Sequence, residues 1–263
     1  MRGIKSPYPT EGASTINVSR NSAHDAALKL LRKRFFCFAI LLGSFPAVKS
    51  NADAQIAMTD PEVRERGATS LIVEYMHVSS LTDARGWTLY TARSVVGVGR
   101  GVEVSAGFSF FPGDAVQPLA ANPGIKWRML NQEKSWISAA IGATAFISLA
   151  SVDHKYESTW GAAYGVVEHS FGEKRATVGV GAYALAQAQQ AAVNRIGVTV
   201  ALSQPIAPGI DVGANWVSGN NVFGYLSPGA AFTRGPYSLW LGYSRGTNPH
   251  GNSGPAISFE RSL

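Results

Sequence analysis

Polar and apolar residues alternate one by one along Val102–Phe110, VEVSAGFSF. Val, Ala and Phe occupy the even positions, and Glu, Ser and Gly occupy the odd ones. Because successive side chains of a β-strand point to opposite faces, this period of two predicts a strand with one apolar and one polar face. The same pattern recurs as far as the C-terminus, which indicates an all-β chain.

Twelve stretches carry the pattern, and polar or Gly/Pro-rich connections separate them. The predicted strands are 69–78, 87–98, 102–110, 124–130, 137–149, 159–171, 176–185, 194–202, 210–217, 222–233, 237–244 and 256–263. An even number allows an antiparallel sheet to close with both chain ends on one side. Short connections (NQEKS, GEKR, PIAPG, RGP) alternate with longer ones (112–123, 151–158, 246–254), which favours a single antiparallel transmembrane β-barrel over residues 69–263.

Two stretches do not fit this pattern cleanly. In 159–171, Glu168 falls in line with Trp160, Ala162 and Tyr164, so the faces of this strand are left unassigned and a bulge or strand end is expected. Pro205 is expected in a turn, because proline cannot donate a hydrogen bond to a sheet.

Residues 1–54 resemble a secretory leader. Lys29 and the cluster Arg32-Lys33-Arg34 precede an apolar stretch, 35–48, and Ala52-Asp53-Ala54 follows as an A-x-A site. The pattern predicts a signal peptide with an extended n-region that is removed after Ala54, and the alternative is an N-terminal membrane anchor. Residues 55–68 are charged and poor in apolar side chains, and are predicted to be a flexible periplasmic lead-in.

The charge of the chain belongs largely to this leader. Residues 1–54 hold eight of the 23 basic and three of the 17 acidic residues, so residues 55–263 hold 15 basic and 14 acidic residues. With the charges so nearly balanced, no basic patch for nucleic acid is expected. Cys37 is the only cysteine and lies in the leader, so the mature chain has no disulfide, thiolate metal site or cysteine nucleophile. Mean hydropathy is only +0.03, as expected when strands are apolar on one face only.

Charged residues of both signs are predicted on the inner face of the barrel. The predicted lumen-lining residues are Glu74, Arg93, Glu103, Lys126, Arg128, Arg195 and Asp211, with Glu260 as a further candidate. One interpretation is a polar lumen that passes small solutes, in which the arginines and Lys126 would favour anions. The alternative is a salt-bridged plug that fills a barrel of about twelve strands, a size between filled and open barrels.

No catalytic or cofactor motif accompanies the barrel pattern. The mature chain has four histidines, and His169-Ser170 are neighbours that point to opposite faces of a strand. There is no G-x-S-x-G elbow and no clustered metal-ligand spacing. We therefore predict a protein that is not an enzyme and needs no cofactor, with a lipid-active enzyme as a third and less favoured alternative.

The alternation, the leader and the closing strand together resemble the outer-membrane β-barrel proteins of Gram-negative bacteria. Residues 211–244 resemble the C-terminal hairpins of uncharacterised porin-like barrels. The resemblance implies an outer-membrane location, contact with its lipids and insertion by the barrel-assembly machinery. One departure is that such barrels usually end on an aromatic residue, whereas this chain ends on Leu263, with Phe259 four residues earlier and Arg261 at an outward position. Passive diffusion of small polar solutes is the expected function, and a closed structural or interaction barrel with functional loops is the alternative.

Overall fold

In the computed structural model, all secondary structure of the described residues is β-strand with tight turns. The described residues are 60–78, 87–112, 119–150, 159–171, 176–186, 194–219, 221, 224–247 and 253–263. Within these ranges there is no helix long and apolar enough to cross a membrane. The leader predicted over residues 1–54 lies outside the described residues.

Thirteen strand segments make up twelve positions in the sheet. They are β1 (Thr69–Val78), β2 (Trp87–Gly99), β3 (Val102–Phe110), β4 (Leu119–Ala121), β5 (Gly124–Leu130), β6 (Ser138–Ala150), β7 (Trp160–Phe171), β8 (Ala176–Ala186), β9 (Ile196–Ala207), β10 (Ile210–Val217), β11 (Tyr225–Arg234), β12 (Tyr237–Gly246) and β13 (Ser253–Ser262). Both β4 and β5 lie between β3 and β6, and Asn122-Pro123 separates them. Proline has no N–H to donate, which accounts for the break.

The sheet closes on itself. Each of the twelve positions pairs antiparallel with the next, and β1 pairs with β13 from Ser70↔Ser262 to Met76↔Ala256. At the end of this seam the Leu263 N–H donates to the Thr69 carbonyl at 2.8 Å. Closure removes the exposed strand edges that an open sheet would leave. The prediction of an all-β, twelve-strand antiparallel barrel is thereby confirmed.

Tight turns gather at one end of the barrel, which we call the turn end; the opposite end is the loop end. At the turn end, Gly99, Arg100 and Gly101 have φ values of 98°, 55° and 72°, a left-handed conformation that glycine adopts without strain. The expectation of a turn at Pro205 was wrong, because β9 continues through Ala207 and Pro205 pairs with Asp211. A register shift beside this pair accommodates the proline, and the turn itself lies at residues 208–209.

The outer face of the barrel is apolar, as the alternation predicts. Phe108 on β3, Trp127 on β5 and Val180 on β8 are each about half exposed, at 57%, 47% and 52%. Further exposed apolar residues on the same face are Ile125, Ile141, Ile147, Leu149, Val178, Val198, Leu202, Val212, Trp216, Leu241, Tyr243 and Ile257. A water-soluble monomer rarely exposes a continuous apolar surface of this kind.

The inner face of β7 is now assigned. Ala162, Tyr164 and Val166 are buried in the barrel interior, and Glu168 lies in line with them. The register of β7 runs unbroken through Glu168, which pairs with Ser138 on one side and Gly179 on the other. The expected bulge or strand end at this residue was therefore wrong, and Glu168 is a further acidic group on the inner face.

Candidate functional site: the barrel interior

Six of the seven predicted interior residues lie on the inner face. Glu74, Arg93, Glu103, Lys126 and Arg128 take part in ion pairs there, and Asp211 lies opposite the buried Ala231 on β11. Arg195 precedes β9 at the loop end and is exposed, so it lies at the rim rather than inside. Glu260, the further candidate, is only 2% exposed on β13.

Neighbouring strands pair the interior charges with one another. Glu103 on β3 and Lys126 on β5 are direct cross-strand partners, and Lys126 Nζ lies 3.3 Å from Glu103 Oε1. Arg93 on β2 places Nη2 3.4 Å from Glu74 Oε1 on β1. These short distances neutralise four of the predicted lining charges in pairs, which lowers the cost of holding them inside the barrel.

Residues 60–68, which we call the N-terminal segment, pack against the inner wall at the turn end. Pro61 and Val63 are buried, and the backbone of Arg64 and Glu65 lies so close to Gly97 that a Cβ there would collide with both carbonyl oxygens. Two backbone hydrogen bonds, from Gly67 N–H to Gly97 O and from Gly97 N–H to Ala68 O, fix the contact at 2.8 and 2.9 Å. This arrangement differs from the flexible lead-in expected from sequence; residues 55–59 lie outside the described ranges.

Arg64 ties this segment to three strands. Its Nη2 lies 2.6 Å from Glu260 Oε1, its Nη1 lies 3.2 Å from Glu103 Oε2, and its Nε donates to Ser70 Oγ at 2.7 Å. The Arg64 N–H also donates to Glu103 Oε2 at 3.1 Å. Ser70, Glu103 and Glu260 belong to β1, β3 and β13, so one guanidinium spans the seam between the first and last strands.

Two acids of the segment face two bases of β5. Asp60 Oδ2 lies 3.6 Å from Lys126 Nζ, and Glu62 Oε2 accepts from Arg128 Nη1 at 2.8 Å. The spacing of two between the acids matches the spacing of two between the bases. Burial raises the pKa of the Glu62 carboxyl, and the neighbouring Asp60 adds to this, while Arg128 opposes it.

Towards the loop end, the interior changes from charged to aromatic. A buried cluster contains Met76, Phe146, Tyr164, Tyr183 and Trp240, and Phe146 stacks on Trp160 with ring centroids 3.9 Å apart. Tyr183 donates to the Ser218 carbonyl and accepts from Asn221 Nδ2 at 2.7 Å, which joins β8 to the β10–β11 connection. Only charged side chains were predicted for the interior, so this aromatic cluster is not among the predicted lining residues.

Glycines on the inner face make room for the large rings. A Cβ at Gly142 would collide with the Tyr164 ring, one at Gly197 with Tyr183, and one at Gly242 with Trp240. Each ring therefore lies flat along the wall over a neighbouring glycine rather than across the axis. The signal in the sequence is an inward-facing glycine beside an inward-facing aromatic residue, on the adjacent strand for Gly142 and Gly197 and on the same strand for Gly242.

The histidine–serine pair of the sequence, His169-Ser170, lies at the end of β7 beside the β5–β6 turn. His169 lies with its Nδ1 against the Trp136 carbonyl and near the Gln132 side chain, and its neighbour Ser170 binds Gln132 through its backbone. Within the described ranges, no group of three or more His, Cys, Asp or Glu side chains is placed to hold a metal ion. The contacts of His169 and Ser170 thus join the end of β7 to the β5–β6 turn.

Comparisons with known proteins give a likeness for this barrel among solved structures. No family model matches the chain, and no curated protein matches it by sequence. Among solved structures, an outer membrane channel from Pseudomonas putida F1 is similar, with 13% sequence identity and a TM-score of 0.44. The match covers 80% of this chain and 100% of that channel.

Proposed function

We propose that the chain is a porin-like barrel of a bacterial outer membrane, through which small polar solutes diffuse passively. The observation that best supports this proposal is the closed twelve-strand sheet, which is apolar on its outer face and carries charged residues inside. A closed sheet satisfies every strand edge internally, as a lipid bilayer requires. Its outer band of Ile, Val, Leu and Trp supplies the apolar surface that faces acyl chains.

Aromatic residues on the outer face support a membrane location. Tyr75 and Tyr90 pair on adjacent strands with ring centroids 5.2 Å apart, and Tyr237 stacks on Phe259 at 6.1 Å near the C-terminus. Trp136 in the β5–β6 turn is 75% exposed. Such rings favour the boundary between lipid and water. Arg261 is compatible with this face, because its side chain is buried and lies over the Tyr237 ring.

The interior supports a channel that opens by displacement of the N-terminal segment. Its contacts with the wall combine the ion pairs of Asp60, Glu62 and Arg64 with the buried Pro61 and Val63, and water can replace the polar contacts when the segment leaves. With the segment displaced, Glu103, Lys126, Arg128 and Glu260 would line a charged opening at the turn end. Both signs of charge are then present, so discrimination between cations and anions is expected to be weak.

The decisive experiment is to express the full chain in a Gram-negative host and locate it. Recovery in the outer membrane with Gln55 as the first residue would support both the location and cleavage after Ala54. Purified protein in planar bilayers should give discrete conductance steps, and in liposomes it should admit solutes up to small sugars. A folded, heat-modifiable barrel in the outer membrane that neither conducts nor swells liposomes would refute the channel and leave the location intact.

The second candidate is a closed barrel whose loops carry the function. One observation favours it, which is that Arg64 bridges Glu103 and Glu260 directly and holds the segment in the lumen. If the segment never leaves, nothing passes. In that case removal of the Arg64 side chain should lower stability without producing any conductance, an outcome that the channel hypothesis does not allow.

A further inference from the structure

Acids outnumber bases where the N-terminal segment meets the barrel wall. The acids there are Asp60, Glu62, Glu103, Glu168 and Glu260, and the bases are Arg64, Lys126 and Arg128. With five acids and three bases, two carboxylates lack a base of their own when every group is ionised. Uncompensated charge in a site with little water is costly, and a carboxyl group avoids this cost by binding a proton.

Glu168 is the acid of this group that makes no ion pair within the described ranges. It is half-buried on the inner face of β7, and the two acids of the segment, Asp60 and Glu62, repel its charge. Lys126 is the base that opposes this repulsion, but Lys126 Nζ already lies 3.3 Å from Glu103 and 3.6 Å from Asp60. Glu168 therefore repels the packed segment whenever all of these acids are ionised.

Glu62 is the acid of the segment that responds to packing. Its Oε2 accepts from Arg128 Nη1 at 2.8 Å, yet burial and the neighbouring Asp60 raise the pKa of the Glu62 carboxyl against the effect of Arg128 and Lys126. When the segment is displaced, water surrounds this carboxyl and its pKa returns to the ordinary range. The packed arrangement thus binds protons more tightly than the displaced one, so its advantage is present at low pH and is lost as the pH rises through the raised pKa.

We propose that Glu62 and Glu168 make closure of the barrel pH-dependent: a proton bound by either carboxyl holds the N-terminal segment in the lumen, and loss of that proton at higher pH releases the segment. The proton comes from solvent and removes the repulsion between the two acids, while Lys126 and Arg128 still hold Asp60 and the remaining carboxylate. The proposal rests on the channel function proposed above and names the condition that opens the channel. Displacement of the segment can be measured without conduction, so the two proposals can fail separately.

Methyl NMR of Val63 in detergent micelles measures the position of the segment directly. Val63 is 8% exposed in the packed segment, so its methyl groups should give different signals in the packed and displaced arrangements. Release of one proton changes a two-state equilibrium by up to about tenfold per pH unit, so the displaced population should rise about tenfold or more between about pH 5 and pH 8. Arg64→Met, which loses both ion pairs of the guanidinium, provides a larger displaced population for the same titration.

Glu62→Gln and Glu168→Gln should each reduce the rise, and the double variant should reduce it to less than about threefold. Glu65→Gln is the matched control, because Glu65 is an exposed acid of the same segment, and it should keep the wild-type rise. A displaced population that stays constant or falls as the pH rises, in both wild type and Arg64→Met, would overturn the proposal, and so would a full rise in the double variant. A pH-dependent segment in a barrel that never conducts would keep this proposal and refute the channel, whereas conductance with a pH-independent segment would do the reverse.

Discussion

Replacing Arg64 with Met should open the barrel by releasing the N-terminal segment. Met keeps much of the length of the side chain but removes every hydrogen bond of the guanidinium. Glu260 would then lose the ion pair at 2.6 Å that holds it, while Glu103 would keep Lys126 at 3.3 Å. The loss therefore falls mainly on one carboxylate that is 3% exposed and on the contact with Ser70.

The magnitude follows from the burial of the pair. Removing one partner of a buried ion pair costs about 3–5 kcal/mol, and Arg64 is itself 19% exposed, so we expect about 2–3 kcal/mol for the packed arrangement of the segment. At about 1.4 kcal/mol per factor of ten, the population of the displaced arrangement should rise by about 30-fold to 150-fold. Single-channel recording in planar bilayers measures this population as open probability.

Arg66→Met is the matched control, because Arg66 belongs to the same segment, carries the same charge and is exposed. It should leave the open probability within about twofold of wild type, since exposed charges contribute little. The double variant with Glu260→Gln should lose less stability than the sum of the two single variants, as urea unfolding in micelles would show. Equal open probabilities for Arg64→Met and Arg66→Met would refute the assignment of the segment as the closure.

Three further predictions concern the interior. Gly142→Ala should lower the free energy of unfolding by about 1–3 kcal/mol, because the added methyl group meets the Tyr164 ring. Gly165→Ala is the control: its methyl group meets only ordinary contacts, so the change should stay within about 0.5 kcal/mol. Urea unfolding midpoints compare the two variants. Glu62→Gln should be at least as stable as wild type at pH 7, because the raised pKa of Glu62 means that its ionisation opposes the packed state. This advantage should disappear as the pH falls and Glu62 becomes protonated. Lower stability of the variant at pH 7 would contradict the prediction. Tyr183→Phe removes the hydroxyl that joins Ser218 to the wall and should cost about 1–2 kcal/mol in the same assay, and an unchanged midpoint would mean that water replaces it.

The strands could be predicted because their signal is local. Alternation along 102–110 or 124–130 decides the two faces of a strand without any knowledge of its neighbours, and the exposed Phe108 and Trp127 and the buried Lys126 confirm it. The same alternation could not assign the faces of β7, where Ala162 and Tyr164 are buried in the interior with Glu168 in line. Apolar residues on both faces leave the pattern ambiguous, and the aromatic filling of the interior is the physical reason.

The packing of the N-terminal segment could not be predicted from its own composition. Its charged residues belong to no predicted strand, so they were expected to face solvent. The partners of Arg64 and Asp60, which are Glu103, Glu260 and Lys126, lie far away in sequence. A signal was nevertheless present. Asp60, Glu62 and Arg64 alternate with Pro61 and Val63, so the segment has one charged and one apolar face, like the strands, and its two acids repeat the spacing of Lys126 and Arg128 on β5.

The position of Arg64 across the seam has a consequence for the order of assembly. Its partners arrive at very different times during synthesis, because Ser70 follows within six residues and Glu260 comes 196 residues later. The guanidinium can therefore satisfy all of its contacts only after the last strand has joined the first. In an unfinished sheet, Arg64 and the carboxylates of Glu103 and Glu260 are exposed to water. In the finished barrel all three are buried together. Completion of the barrel and burial of these three charged groups are in this way a single event.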